Sequence, residues 1–224
     1  MFTLAKKARV IGASILLMSL ISTGTSSAAT TVTNLGNLFD GTYNVYDSPA
    51  GLGRDVAGSF TTGSDGLSLE SVTLLIGGST FNNGGFGVSL YSDATNAPGT
   101  DLGVSFLGTA FPTPDGNFTY TTSSPYTLSA NTQYWVVASV PHTNSNTGYA
   151  WRTTSNPTEI SDPGWSIGAL ATRNVNSGTP ESWSVDANTS MGLSIQAVAA
   201  APEPSRMLLT SAGLILLIFR RKRS

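Results

Sequence analysis

Apolar residues recur at every second position in several short stretches of this chain. Over residues 71–76, Val72, Leu74 and Ile76 share one face. Over residues 86–91, Phe86, Val88 and Leu90 share a face, with Gly87 and Ser89 opposite. Residues 133–140 set Tyr134, Val136, Ala138 and Val140 against Trp135, Val137 and Ser139, and residues 191–198 alternate Met191, Leu193, Ile195 and Ala197 with Gly192, Ser194 and Gln196. A period of two with β-branched and aromatic residues predicts strands. Weaker alternation predicts others over residues 56–61, 102–109, 118–122, 149–153, 165–171 and 182–185. Turn-forming runs separate them, among them Asn82-Asn83-Gly84-Gly85, Asn96-Ala97-Pro98-Gly99 and Pro114-Asp115-Gly116-Asn117. No helical period is evident between residues 30 and 199. About ten short strands at this spacing predict an all-β fold, an antiparallel β-sandwich of jelly-roll-like type. Val72, Leu74, Ile76, Val88, Leu90, Val136, Leu193 and Ile195 are its expected core.

The two ends break this pattern. Residues 1–9 are short and basic, with Lys6, Lys7 and Arg9; residues 10–21 are apolar; residues 22–29 are small and polar, ending Ser-Ser-Ala-Ala. That is the order of a signal peptide, with cleavage expected after Ala28 or Ala29. The apolar run falls well short of the roughly 20 residues that a spanning helix needs. The other end reads Ala201-Pro202-Glu203-Pro204-Ser205-Arg206, then an apolar run over residues 207–219, then Arg220-Arg221-Lys222-Arg223-Ser224. The prolines flanking Glu203 favour an extended, stiff segment, the form a protease cleft grips. The apolar run suits a bilayer helix, and the four consecutive cations act as a stop-transfer signal held on the cytoplasmic side. Three segments follow: a signal peptide over 1–29, the β domain over 30–199 and a tail over 200–224.

This tail resembles the PEP-CTERM sorting signal, whose parts (Pro-Glu-Pro, apolar stretch, basic cluster) appear here in order. The resemblance implies Sec export, transient anchoring in the inner membrane by the apolar helix, recognition of Pro202, Glu203 and Pro204 by an exosortase, and delivery to the cell surface or extracellular matrix. One departure is the length of the apolar run, about 20 Å as a helix against roughly 30 Å of hydrocarbon; snorkelling of Arg206 and Arg220 can make up the difference. The middle domain resembles the choice-of-anchor R family. The resemblance lies in Gly58-Ser59-Phe60-Thr61-Thr62-Gly63, in Leu69-Glu70-Ser71-Val72-Thr73-Leu74, in Val88-Ser89-Leu90-Tyr91-Ser92-Asp93 followed by Ala97-Pro98-Gly99, and in residues 126–137. It implies an extracellular β-sandwich and brings no catalytic residues with it.

Charge sharpens the picture. The whole chain carries a formal −2, yet residues 30–201 hold 12 acids against Arg54, Arg152 and Arg173, a net −9 with no lysine. Such a domain repels phosphate backbones, so nucleic acid is not an expected partner. The absence of cysteine excludes disulfides, thiolate nucleophiles and cysteine-bound metal.

Candidate chemistry is sparse. His142 is the sole histidine; it lies in the polar run Pro141–Asn146 with no G-x-S-x-G elbow in the chain, and it reads as an exposed side chain outside any catalysis. The domain's glutamates, Glu70, Glu159 and Glu181, stand in no recognisable context. The expectation is therefore no enzyme and no cofactor. Asp93, Asn96 and Asp101 bracket one loop and offer hard oxygen ligands for calcium, although the same residue types favour turns without metal. Trp135, Trp151, Trp165 and Trp183 could form a platform that stacks on sugar rings, or could belong to the core. The expected function is a structural or adhesive protein of extracellular polymer or biofilm. The alternative is a carbohydrate-binding module, or a weak glycan-active enzyme, with extracellular polysaccharide as partner.

Overall fold

The computed structural model describes residues 30–82, 84–156 and 158–199. The expected signal peptide, apolar helix, Pro202-Glu203-Pro204 motif and basic cluster lie outside the described residues. Among the described residues there is no helix. The first eight strands are β1 (Thr30–Thr33), β2 (Gly41–Asp47), β3 (Leu52–Thr61), β4 (Leu67–Asn82), β5 (Gly87–Asp93), β6 (Pro98–Asp101), β7 (Phe106–Leu107) and β8 (Gly116–Leu128). They are followed by β9 (Gln133–Ser139), β10 (Thr147–Thr154), β11 (Ile160–Ser161), β12 (Ser166–Asn176), β13 (Thr179–Pro180), β14 (Ser184–Asp186), β15 (Ser190–Met191) and β16 (Leu193–Ala199). All pair antiparallel into one connected sheet, along the path β11-β1-β16-β4-β10-β2-β3-β9-β5-β6. β8 pairs with β4, and β12 pairs with β3, outside that path.

The four strongly alternating runs are strands, as the periodicity predicts. Val72, Leu74, Ile76, Leu90, Val136, Leu193 and Ile195 are all buried, and Val88 is half-buried against them. Strands far apart along the pairing path share this core. Beside β2, where β3 and β10 come together, a Cβ placed on Gly58 would stand 3.0 Å from the Met191 side chain and 3.6 Å from Trp151. Phe86 packs edge-on to Tyr149 of β10 at 5.2 Å and tilted to Tyr120 of β8 at 6.0 Å.

β4 shows how one irregularity reconciles two phases of alternation. Leu69 and Val72 are both buried although they sit on opposite parities. The register of β4 against β8 shifts between Leu69 and Ser71, and that of β16 against β4 shifts between Gln196 and Ala197. The bulge absorbs Glu70, which is exposed, and returns the following apolar residues to the core side. In the predicted strand over residues 102–109, only Phe106–Leu107 pairs. Gly103 adopts φ +68°, and its N–H donates to Asp101 Oδ1 at 2.8 Å, so a turn interrupts the run.

β3 and β9 are buried on both faces. Their even residues, Val56 and Phe60, Tyr134 and Val136, enter the main core. On the opposite face Ala57, Trp135, Val137 and Ala171 form a second small cluster, with Tyr91, Ala169 and Trp183 packed against it.

Candidate functional site

The polar loop Pro141–Asn146 joins β9 to β10. His142 is not exposed, contrary to the expectation from its polar neighbours: its side chain retains 18% exposure and docks on β3. Its Nε2 lies 2.9 Å from Asp55 Oδ1, and Asp55 Oδ2 accepts from Arg173 Nε at 2.9 Å. Gly53 is required beneath this ring, because a Cβ there would come within 2.4 Å of His142 Nδ1. The other imidazole nitrogen, Nδ1, is buried without a hydrogen bond and faces Asp47 Oδ1 at 3.8 Å. Asp47 in turn accepts from the Ser145 N–H at 2.6 Å and from the Ser145 hydroxyl at 3.2 Å. Asp47 and Asp55 are both buried. The pairs thus tie three segments together: the loop, the β2–β3 hairpin and β12.

Histidine, serine and aspartate therefore meet here, but not in triad order. A triad needs the serine hydroxyl on one imidazole nitrogen and a carboxylate on the other. In this cluster both nitrogens face carboxylates, and the Ser145 hydroxyl bonds Asp47 and the Thr147 hydroxyl, 3.1 Å away. The arrangement fixes loop geometry rather than activating a nucleophile. Two glutamates are likewise occupied: Glu159 accepts from the Ile167 N–H at 2.6 Å, and Glu181 from the side-chain amides of Asn174 and Asn176.

A shallow cleft of about 290 Å³ opens beside this cluster, lined by Asn44, Tyr46, Asp47, Ser48, Asn146, Thr147 and Gly148. Across the loop lies a second hollow of about 340 Å³ between Phe86 and Val140. Neither was visible in the sequence, because the residues that line each one are separated by scores of positions along the chain.

The proposed tryptophan platform requires correction. Trp135, Trp151 and Trp165 are buried, and each has a specific partner that explains why. The Trp151 indole N–H donates to Gly192 O at 2.8 Å, and that of Trp135 donates to Asp93 Oδ1 at 2.9 Å. Trp165 stacks on Phe60 at 6.3 Å with rings nearly parallel. Satisfied indole nitrogens let these large rings be buried without a polar penalty. Trp183 alone is part-exposed, and the Arg173 guanidinium lies over its ring at 4.6 Å.

The residues nominated for calcium do lie on one hairpin, but their oxygens are turned to other uses. Asp93 Oδ2 accepts from the Asn96 N–H at 3.1 Å, and its Oδ1 accepts from Gln133 Nε2 and Trp135 Nε1. Asp101 caps Gly103. Thr95 and Asn96 take positive φ at the tip, as a tight turn requires. Among the described residues, no three His, Cys, Asp or Glu side chains group as metal ligands.

No known family, curated protein or solved structure matches the chain.

Proposed function

We propose that this chain is an exported surface or extracellular-matrix protein, sorted by an exosortase through its tail, with a jelly-roll-like β-sandwich as its displayed domain. The observation that carries this reading is the order of the last segments: Pro202-Glu203-Pro204, the apolar run over 207–219 and Arg220-Arg221-Lys222-Arg223. Each element has a distinct physical part in such sorting. The prolines hold Glu203 extended, the apolar run stalls in the bilayer, and the cations resist translocation.

The domain's connectivity supports the reading. Thr30, the first residue after the expected leader, pairs with Ala197, and Ala199 pairs with Leu67. The mature N-terminus and the start of the tail therefore leave the sheet side by side. A domain tethered by its tail would hold this end toward the membrane. Near it stand the exposed acids Asp65 and Asp162, the latter accepting from the Thr31 N–H. β3 runs ten residues from Thr61 near that end to Leu52, about 30 Å away, so the His142 loop and the cleft beside it would face outward. The sandwich itself is supported by the shared core, in which Phe86, just before β5, packs on Tyr149 of β10, four strands away along the path.

The test is Glu203→Ala in cells that carry the exosortase. The variant keeps the apolar anchor and the cations, so it should accumulate in the membrane fraction while the unaltered chain reaches the medium or surface. Equal release of both would sink the sorting reading.

A further inference from the structure

The cleft beside β2 has a chemical character that no sequence motif announced. Along β2, Tyr43 and Val45 pack toward the core, whereas Asn44 and Tyr46 lie on the other face. Across the ladder on β10, Tyr46 is paired with Gly148 and Asn44 with Ala150. The paired positions carry at most a methyl group, so a trough is left alongside the tyrosine ring. On the far side of Tyr46 its other partner, Arg54, sets its guanidinium 5.6 Å from the ring centroid. One side of the tyrosine is thus backed and the other is open. Asp47 and Ser48 from the β2–β3 turn, with Asn146 and Thr147 from the loop, close the end of the trough.

The lining is one aromatic ring, two carboxamides, two hydroxyls and one carboxylate, with no cation among them. A phosphate or carboxylate ligand would find no cation in the lining, Arg54 standing behind the Tyr46 ring, and would lie beside the Asp47 carboxylate. A wholly apolar ligand would strand the amides without partners. A neutral polyhydroxylated ring matches both features: its C–H face can lie on the tyrosine, and its hydroxyls, each donor and acceptor, can meet the carboxamides of Asn44 and Asn146. Asp47, buried and bonded to Ser145, fixes the loop that carries Asn146, so the cleft wall is set before any ligand arrives. The volume, about 290 Å³, lies at the small end of ligand clefts, which begin at roughly 300 Å³. The trough is open on the sheet face, which lets a longer chain run through it.

We propose that this cleft binds one neutral sugar residue of a polysaccharide chain, with Tyr46 as the stacking surface and Asn44 and Asn146 as hydroxyl partners. The chemistry stands on the cleft alone; only its outward placement rests on the sorting reading. The full chain, purified in detergent, is run through native gels containing dextran, laminarin, xylan or galactomannan, with alginate as the anionic polymer. The expected result is retardation by at least one neutral polymer, weakened at least tenfold by Tyr46→Ala and by Asn146→Ala and retained by Tyr46→Phe, which keeps the ring. Thermal melting checks that Tyr46→Ala is folded; if it is not, Asn146→Ala, on the loop, decides. Retardation by none of the neutral polymers, by alginate alone, or undiminished in the folded variants would overturn the proposal. Those outcomes leave processing of the tail untouched, so the two readings fail separately.

Discussion

Replacing Asp55 with alanine should be among the most damaging single changes on the polar side of this domain. The carboxylate side chain is 3% exposed and receives His142 Nε2, Arg173 Nε and a terminal Arg173 nitrogen, each at 2.9 Å. Removing it leaves a guanidinium and an imidazole without their carboxylate, the imidazole packed over Gly53. Breaking one partner of a buried ion pair costs about 3–5 kcal/mol. The Arg173 and His142 side chains keep 19% and 18% exposure, so water can recover part of the loss, and about 3 kcal/mol is the expected value. In a domain of this size that corresponds to a fall in Tm of roughly 6–12 °C. The comparison is Asp115→Ala, which breaks the exposed pair with Arg152, where side-chain exposures are 39% and 55%; it should cost under about 1 kcal/mol. Urea unfolding followed by tryptophan fluorescence reads both changes by linear extrapolation. A loss from Asp55→Ala no larger than that from Asp115→Ala would refute the view that this cluster holds the loop in place.

Other consequences follow from the core and its polar partners. Trp151→Ala, which deletes a fully buried ring and leaves Gly192 O with the Leu75 N–H as its donor, should cost about 3–5 kcal/mol by the same denaturation assay. Burial, with a smaller effect of neighbouring Tyr149, pushes the Tyr120 hydroxyl above its ordinary value of 10.0, and burial also raises Tyr149. Raised folded-state values mean that the stabilisation is complete below about pH 10 and is lost as pH climbs beyond it. Melting temperatures above pH 10 should therefore fall less steeply in Tyr120→Phe than in the unaltered chain, and an unchanged slope would count against burial of this hydroxyl.

Much of the fold was legible because two-residue periodicity survives wherever one face of a strand is buried. Residues 71–76, 133–140 and 191–198 read correctly for that reason. Legibility failed where a backbone irregularity reset the phase, as at Glu70, or interrupted pairing, as at Gly103. β1 escaped notice because Val32 is its sole large apolar residue, and β2 because its inward positions amount to little more than Tyr43 and Val45. The polar cluster was harder still. His142 and Asp55 are 87 positions apart, and Ser145 and Asp47 are 98 apart, so nothing local distinguishes this loop from any polar turn. The tryptophans were open between a surface platform and the core, because composition does not show the partners, Asp93 and Gly192 O, that allow Trp135 and Trp151 to be interior.

The central claim concerns the tail, and the C-terminus of the extracellular protein addresses it most directly. Intact-mass spectrometry of material recovered from the medium or the cell surface should give a chain beginning near Thr30 and ending close to Pro202-Glu203-Pro204, with residues 207–224 gone. Extracellular protein that still ends at Ser224 would contradict the account, because the tail would then serve as an anchor without being a site of cleavage.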